Sequence, residues 1–181
     1  MATPLDIDVS PAAVEHAEGV LRVIDVIARE RKYFDVFEAP HSPEFCKFIG
    51  GRIASGNPYF VALSQGEVVG WCEIIRNMFP ANAHVGALNM GIIPAFRDRG
   101  LGFRLVSTAL ERARQAGFVR IILSVHADNP RAIALYEKVG FAKEGVLRDA
   151  SLIDGKYRDS LVMAIVDRAN ANPSQAKMPP A

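Results

Sequence analysis

The residues best placed to do chemistry lie in one segment, Met90–Arg104, which reads MGIIPAFRDRGLGFR. An apolar strand pattern ends at a proline, and a short loop carrying Arg97, Arg99, Gly100 and Gly102 turns directly into a helix. Glycines let the backbone come close to a ligand, and the free N–H groups of a first helical turn favour negative charge. The two arginines add cationic donors. This spacing predicts a site for a phosphate or pyrophosphate.

Two common phosphate-binding motifs are absent from this loop. It lacks the G-x-x-x-x-G-K-[ST] pattern of nucleoside triphosphatases, and it lacks the G-x-G-x-x-G pattern of dinucleotide-binding folds. The loop therefore disfavours both of those ligand classes.

The elements that must position this loop follow from hydrophobic periodicity. The chain reads β-α-α-β-β-β-α-β-α-β-β, and the strand–helix–strand unit around the loop predicts that part of the sheet is parallel. The predicted strands are about Leu5–Ser10, Tyr59–Leu63, Val68–Ile75, His84–Ile93, Val119–Val125, Glu144–Ile153 and Asp159–Val166. The predicted helices run from Ser10-Pro11 to about Arg31, from Ser42 to about Gly56, from the Gly100–Gly102 turn to Ala116-Gly117, and from Asn129 to Gly140. We expect the strand Val119–Val125 to be covered on both faces, because it is almost entirely apolar.

Composition indicates one globular domain. The chain has 181 residues, of which 50% are hydrophobic and 23% are charged. We expect a single domain over residues 1–167 and a flexible C-terminal tail over residues 168–181, which is rich in Ala, Asn, Pro and Ser. Lys and Arg number 21 against 20 Asp and Glu, and a net charge of +1 argues against a nucleic-acid-binding surface.

The two cysteines do not indicate a metal site or a disulfide. Cys46 and Cys72 have no C-x-x-C spacing and no matching histidine pattern, which predicts no metal and favours a reducing, cytoplasmic location. Residues Met1–Ser10 lack the features of a signal peptide, and no apolar run approaches about 18 residues. We therefore expect neither secretion nor membrane insertion.

Three motifs together resemble the GNAT superfamily of N-acetyltransferases. The first is Arg97-x-x-Gly-x-Gly102 after an Ile-x-Pro strand end, which is similar to the acetyl-coenzyme A signature of that superfamily. The second is Asn129–Phe141, with its Asn, its Tyr seven residues later and its terminal Gly-Phe. The third combines Glu144-Gly145 with Asp154–Asp159 and Met163, and it resembles the branch of L-amino acid and ribosomal-protein N-acetyltransferases.

The resemblance implies a fold and a coenzyme site. The fold would be α/β (α+β), with a mixed, splayed central sheet of about seven strands and about four helices around it. Acetyl-CoA would be the co-substrate: the backbone of Ile92 and Ile93 would pair with its pantetheine, and Asn129 would bond the pantetheine arm. The residues that would wrap the pyrophosphate are Arg97, Asp98, Arg99, Gly100, Leu101, Gly102 and Phe103. Tyr136 would lie near the sulfur as the general acid, although Asn129 also fits a plain helix N-cap and Tyr136 also fits a core position.

The resemblance does not identify a general base. Ser124 and Gly86 occupy the two positions where members of the superfamily carry a glutamate. Glu73, His84 and His126 are the other candidates, and Glu73 is the one that we assign as catalytic. A water chain that ends on a carbonyl or a hydroxyl is an equal alternative, and the hypothesis is that no single strong base exists. A loss of more than about a hundredfold in kcat for Glu73→Gln would overturn that hypothesis.

The predicted function is transfer of an acetyl group to a primary amine of a small molecule such as an amino acid. The alternatives are an N-terminal acetyltransferase of proteins or peptides, and a non-catalytic acyl-CoA-binding module. We expect residues Tyr33–Pro43 and Met78–Ala83 to line the acceptor site. The resemblance also suggests a homodimer.

Overall fold

Seven strands form one sheet in residues 7–40 and 42–170, which are the residues that the computed structural model describes. The strands are β1 (Ile7–Pro11), β2 (Tyr59–Ser64), β3 (Glu67–Arg76), β4 (Val85–Ile92), β5 (Arg120–His126), β6 (Ala142–Ile153) and β7 (Lys156–Val166). Their order across the sheet is β1-β2-β3-β4-β5-β7-β6. β4 and β5 are parallel and the other neighbouring strands are antiparallel, so the predicted mixed sheet is confirmed.

The helices cover the two faces of this sheet separately. They are α1 (Ala17–Ala28), α2 (Pro43–Ala54), α3 (Leu101–Gln115) and α4 (Pro130–Lys138). α1 and α2 pack on one face, against Tyr59, Val61 and Trp71. α3 and α4 pack on the other, where Leu105 and Tyr136 belong to the same core. Successive strand residues alternate between the two cores, as the pleat of a sheet requires.

The first helix differs from its prediction at both ends. Pro11 ends β1, where it pairs with Phe60, and an edge strand tolerates a proline without a ladder donor. A 3-10 turn over Val14–His16 follows, and α1 begins only at Ala17. α1 ends at Ala28 because Arg31 lies in the left-handed region with φ of 52°. Proline therefore closes the strand here and does not open a helix.

The sheet opens between β4 and β5. Their pairing covers only Val85 to Ala87 on β4 and Arg120 to Ile122 on β5. Beyond those residues β4 stays paired with β3 as far as Ile92, and β5 stays paired with β7 as far as His126. The predicted splay is thus confirmed, and a gap separates the carboxyl ends of the two central strands.

The rest of the chain follows the predicted order. The β6–β7 hairpin turns at Asp154 and Gly155, both with positive φ (50° and 75°). Of the predicted tail, Arg168–Asn170 forms a 3-10 turn and residues 171–181 lie outside the described residues. Within residues 7–40 and 42–170, no helix has the length and apolarity that a membrane crossing requires.

Candidate active site

The N-terminus of α3 has the geometry of an anion site. Gly100 is its N-cap and lies in the left-handed region with φ of 76°, which glycine adopts without strain. The Arg104 N–H donates to the Gly100 carbonyl at 3.2 Å. The three preceding N–H groups, those of residues 101–103, have no partner within the helix and carry the positive end of its dipole. The backbone of the loop therefore supplies the donors that the sequence predicted.

Some side chains of the loop pack in the core, and others lie beside charged groups. Leu101 is buried in the core, so only its backbone faces a ligand. Asp98 has φ of 62° and forms an ion pair with Arg131 at 2.7 Å. Phe103 is partly exposed beneath Lys138, whose Nζ lies 5.0 Å from the ring centroid. Lys138 is a cation beside the loop that sequence reasoning missed, because no local signal links the end of α4 to α3.

Gly102 has a packing role as well as a predicted binding role. A Cβ added there would lie 3.0 Å from Leu135 Cδ2 and 3.6 Å from Ile92 Cδ1. The absent side chain lets α3 approach α4 and the end of β4 closely. The same glycine therefore brings the first turn of α3 to the edge of the gap.

The Arg97 guanidinium is engaged within the protein, whereas a contact with the pyrophosphate was predicted for it. Its guanidinium forms a two-pronged ion pair with Glu30, in which one nitrogen–oxygen distance is 2.8 Å. Its Nε donates to the Ile92 carbonyl at 2.8 Å. The guanidinium is therefore occupied within the protein, and Arg99 is the arginine of this loop whose charge is left for a phosphate. Arg99 lies 6.0 Å from the centroid of Phe96.

The backbone groups of Ile92 and Ile93, both predicted to pair with a pantetheine, point in different directions at the edge of β4. The Ile93 N–H donates to Val69 at 3.1 Å, and the Ile93 carbonyl accepts from Phe96 at 3.0 Å. The Ile93 N–H is therefore not free for a pantetheine. Since antiparallel pairing alternates, the N–H groups of Ile92 and Met90 point away from β3 into the gap. Met90 is the position that sequence reasoning missed, and the two-residue period of the strand could have identified it.

Two residues of α4 complete the coenzyme side. The Asn129 side-chain oxygen accepts from the Ala132 N–H at 3.2 Å, so it caps α4 as its sequence position indicated. Tyr136 is buried on the face that meets Cys72, and burial raises the pKa of its hydroxyl above the usual value. The hydroxyl is therefore protonated at neutral pH, which a general acid requires.

Glu73 lies on the opposite face of the sheet, beneath α2. It is 3% exposed, and its Oε1 accepts from Arg52 at 2.5 Å and from Asn89 at 3.3 Å. Its Oε2 is buried without a hydrogen-bond partner. Burial raises the pKa of this carboxyl to about 7, against the opposing effect of Arg52. Asn89 on β4 is its cross-strand neighbour and is exposed at the edge of the gap.

The other base candidates are less well placed. His126 has both ring nitrogens engaged, with the Lys32 carbonyl at 3.0 Å and with Asp35 at 3.2 Å. His84 is exposed just before β4, at the end where β4 and β5 still pair. A side chain at Gly86 would meet Ile74 and Phe118 within 2.8 Å, so a carboxylate there would enter the apolar core.

The face that holds Glu73 is open above β5. Ser124 is exposed, which corrects the expectation that β5 is covered on both faces, because α1 and α2 reach only as far as β4. Of the two predicted acceptor segments, Tyr33–Pro43 has Phe34 at the gap, where its Cζ would be 3.3 Å from a Cβ on Gly91. Met78–Ala83 lies at the other end of β4, since Asn77 bonds Val85.

Comparison with known proteins identifies the family. The model of the acetyltransferase (GNAT) family matches residues 24–141, which include the gap, the α3 loop and α4. The chain belongs to the acetyltransferase (GNAT) family. This confirms the resemblance and the predicted class of enzyme, an acetyl-CoA-dependent N-acetyltransferase.

Several curated proteins are similar in sequence to this GNAT chain. It is 29% identical over 162 residues to the L-amino acid N-acetyltransferase AaaT of Escherichia coli, covering 87% of this chain and 99% of that protein. It is 36% identical over 99 residues to the N-alpha-acetyltransferase RimI of Mycobacterium tuberculosis, covering 55% of this chain and 61% of that protein. Other relatives are likewise matched over only 52–60% of their own length.

A solved structure supports the fold. A phosphinothricin acetyltransferase from Sinorhizobium meliloti, determined with acetyl-CoA, superposes with a TM-score of 0.83 at 20% identity. The superposition covers 90% of this chain and 91% of that one. The splayed sheet described above is therefore the fold of that GNAT enzyme.

Proposed function

We propose that this GNAT enzyme transfers the acetyl group of acetyl-CoA to a primary amine of a small molecule such as an amino acid. The observation that carries the proposal is the position of Glu73. A buried carboxyl with a pKa raised to about 7 lies across a strand pair from Asn89, at the edge of the gap. The similarity to an L-amino acid N-acetyltransferase over nearly that protein's whole length supports this acceptor class.

The coenzyme side of the gap fits acetyl-CoA. The N–H groups at the start of α3, with Arg99 and Lys138 nearby, suit a pyrophosphate. The unpaired β4 edge offers the N–H groups of Met90 and Ile92 to a pantetheine, and Asn129 lies at the end of β5. When bound, the coenzyme supplies an acetyl thioester.

The residues of this chain have distinct roles in the proposed transfer. Because Glu73 is buried, it accepts a proton from the acceptor ammonium through water, which leaves a neutral nucleophile. The Ile92 N–H polarises the thioester carbonyl, as an oxyanion donor does. The amine nitrogen bonds to the acetyl carbon as the carbon–sulfur bond breaks. Tyr136 gives its proton to the departing thiolate and takes back the second proton that the attacking nitrogen loses. The proposal is an alternative to the hypothesis that the enzyme has no single strong base.

A thiol-release assay with acetyl-CoA tests the proposal. The acceptor panel contains amino acids, polyamines, aminoglycosides and short peptides with free N-termini. Release with an amino acid or another small amine is expected, and it should be at least about tenfold faster than with any peptide at equal concentration. Faster release with peptides would favour a protein N-terminal acceptor. Coenzyme binding without release across the panel would favour an acyl-CoA-binding module.

Two further properties stay predictions. The predicted cytoplasmic location rests on the two free cysteines, Cys46 and Cys72, and cell fractionation with an antibody would test it. The homodimer rests on the family resemblance, and sedimentation at micromolar concentration would test it.

A further inference from the structure

A segment without regular secondary structure spans the open end of the gap. This bridging segment, Arg29–Pro40, lies between α1 and α2. On one side Glu30 pairs with Arg97, just beyond β4. On the other side the Lys32 carbonyl and Asp35 meet His126 at the end of β5, at 3.0 Å and 3.2 Å. The two strands that diverge are therefore joined again at their far ends by side chains of one segment.

The Arg97–Glu30 contact is the most substantial of these links. It is two-pronged, and the side chains are only 15% and 21% exposed. The centroid of the Tyr33 ring, also in the bridging segment, lies 4.9 Å from the guanidinium carbon. The third nitrogen of the guanidinium, Nε, donates to the Ile92 carbonyl at 2.8 Å. One side chain thus holds three groups: a carboxylate, a ring and the end of β4.

The chemistry of arginine suits this role better than a phosphate contact. A planar fork that meets both oxygens of one carboxylate is geometrically specific and is a strong charge-assisted pair. Partial burial reduces screening by salt. Glu30 and the Ile92 carbonyl already engage all three nitrogens of the Arg97 guanidinium, whereas Arg99 has no such partner among the ion pairs of the described residues.

We infer that Arg97 is a positioning residue for the acceptor amine, acting through Glu30 on the bridging segment. This inference rests on the proposed function, because the acceptor then lies between the bridging segment and the open face of β4 and β5. By fixing the bridging segment to the end of β4, Arg97 sets the distance between that segment, which forms one side of the acceptor site, and the Ile92 N–H. The first residue of the coenzyme signature therefore serves acceptor binding, and the backbone of the same loop serves the coenzyme.

The test compares Arg97→Gln, Glu30→Gln and the double variant with the full-length enzyme. Glu67→Gln is the matched control, since Glu67 also pairs with an arginine, Arg22, but both side chains are exposed and lie outside the bridging segment. Both single variants should raise the acceptor KM by about fivefold or more, with kcat and the Kd of acetyl-CoA within about twofold of the parent. The double variant should be no worse than Arg97→Gln alone, because both changes remove one contact. Glu67→Gln should match the parent.

Other outcomes overturn the inference. A tenfold weaker Kd for acetyl-CoA in Arg97→Gln, with an unchanged acceptor KM in Glu30→Gln, would make Arg97 a phosphate ligand. Additive effects in the double variant would make the two residues independent.

A parent enzyme that acetylates no amine would refute the proposed function, and amide hydrogen exchange would then decide the inference. Arg97→Gln and Glu30→Gln should both speed exchange across residues 29–40, and Glu67→Gln should not. Unchanged exchange in both variants would refute the inference as well.

Discussion

Glu73 is a carboxyl that the fold prevents from ionising at its usual pH. Burial raises its pKa, and the ion pair with Arg52 and the hydrogen bond from Asn89 only partly offset that effect. A proton acceptor works best when its pKa lies near the working pH, and about 7 meets that condition. The same residue in an exposed strand would be fully ionised and a weak base.

Replacing Glu73 by Gln should therefore remove the proton acceptor while keeping the size and shape of the side chain. We expect kcat to fall by about a hundredfold or more, within the range of general-base effects, with little change in the Kd of acetyl-CoA. In the parent, kcat/KM should rise with pH through an inflection near 7, since the carboxylate is the active form. That inflection should be absent in Glu73→Gln, while any inflection from the amine itself remains.

Glu67→Gln is the control, because Glu67 is an exposed carboxyl at the start of the same strand. It should leave both kcat and the inflection unchanged. A loss of less than about tenfold in Glu73→Gln, with the inflection intact, would restore the hypothesis that no single strong base exists.

The raised pKa of Glu73 also makes the stability of the fold depend on pH. In the folded state the Glu73 carboxyl keeps its proton up to about pH 7, whereas in an unfolded chain it ionises near pH 4.5. Because the folded state binds this proton more tightly, protonation of Glu73 favours folding. This contribution is fully present below 4.5 and is lost as the pH rises through 7. Between pH 5 and pH 8, the free energy of unfolding of the parent should fall by roughly 2 kcal/mol relative to Glu73→Gln.

Urea unfolding of both proteins at pH 5 and pH 8 measures this difference. Titration of the other carboxyls is common to both proteins and cancels in the comparison. A parent that does not lose stability relative to Glu73→Gln over this range would show that the pKa of Glu73 is not raised.

At the scale of elements, Gly86 shows why β4 cannot carry the carboxylate found elsewhere in the family. Its place on the core face brings it beneath Ile74 and Phe118, where an added Cβ would lie 2.6 Å and 2.8 Å from their atoms. We expect Gly86→Ala to destabilise the fold by roughly 1–3 kcal/mol through overpacking. Gly51→Ala is the matched control, since Gly51 lies in α2 with no atom within 4 Å of an added Cβ.

Gly51→Ala should instead stabilise the protein by about 0.5–1 kcal/mol, because alanine favours a helix. Thermal unfolding of the two variants measures the contrast. Similar shifts in Tm for the two variants would show that β4 moves to accommodate an alanine at position 86. The core would then have room for a larger residue there.

Local chemistry made most elements predictable. Ser42 accepts from the Phe45 N–H at 3.2 Å, and Asn129 caps α4, so both helix starts agree with their cap residues and following prolines. Gly100 takes the left-handed conformation expected where a loop turns into α3. The predicted start of α1 was wrong, because Pro11 fits both a helix start and the end of an edge strand. Its pairing with Phe60 decides for the strand.

The partners of Arg97 and Glu73 could not be predicted, because they are distant in sequence. Glu30 is 67 residues before Arg97, and Arg52 is 21 residues before Glu73. Cap residues and glycine turns act within one turn of the backbone, whereas these pairs exist only after α1 and α2 have packed on the sheet. The sequence therefore predicted an anion-binding loop, and the fold was needed to separate Arg97, which faces Glu30, from Arg99, which we propose for the phosphate.

At the scale of the whole molecule, the gap divides the sheet into two parts that pair directly over only three residues of each strand. A coenzyme that bonds the edge of β4 and the N-terminus of α3, with Asn129 at the end of β5, would join the two parts. A ligand that binds only the folded state stabilises it by about 2.7 kcal/mol at a hundredfold excess over its Kd. For a chain of this size, that corresponds to a rise in Tm of roughly 5–10 °C.

Gly100→Glu and Gly100→Lys separate the electrostatic part of this binding from its geometry. Both place a long side chain at the same left-handed residue, where an added Cβ meets no atom within 4 Å, so both carry the same backbone strain. The glutamate places a negative charge beside the pyrophosphate, and the lysine a positive one. Acetyl-CoA should raise the Tm of the parent and of Gly100→Lys, while Gly100→Glu should show a rise of less than about 2 °C. Equal rises in the two variants would mean that the anion site is not at the start of α3, because a charge reversal at its N-cap would then have no effect on an anionic ligand.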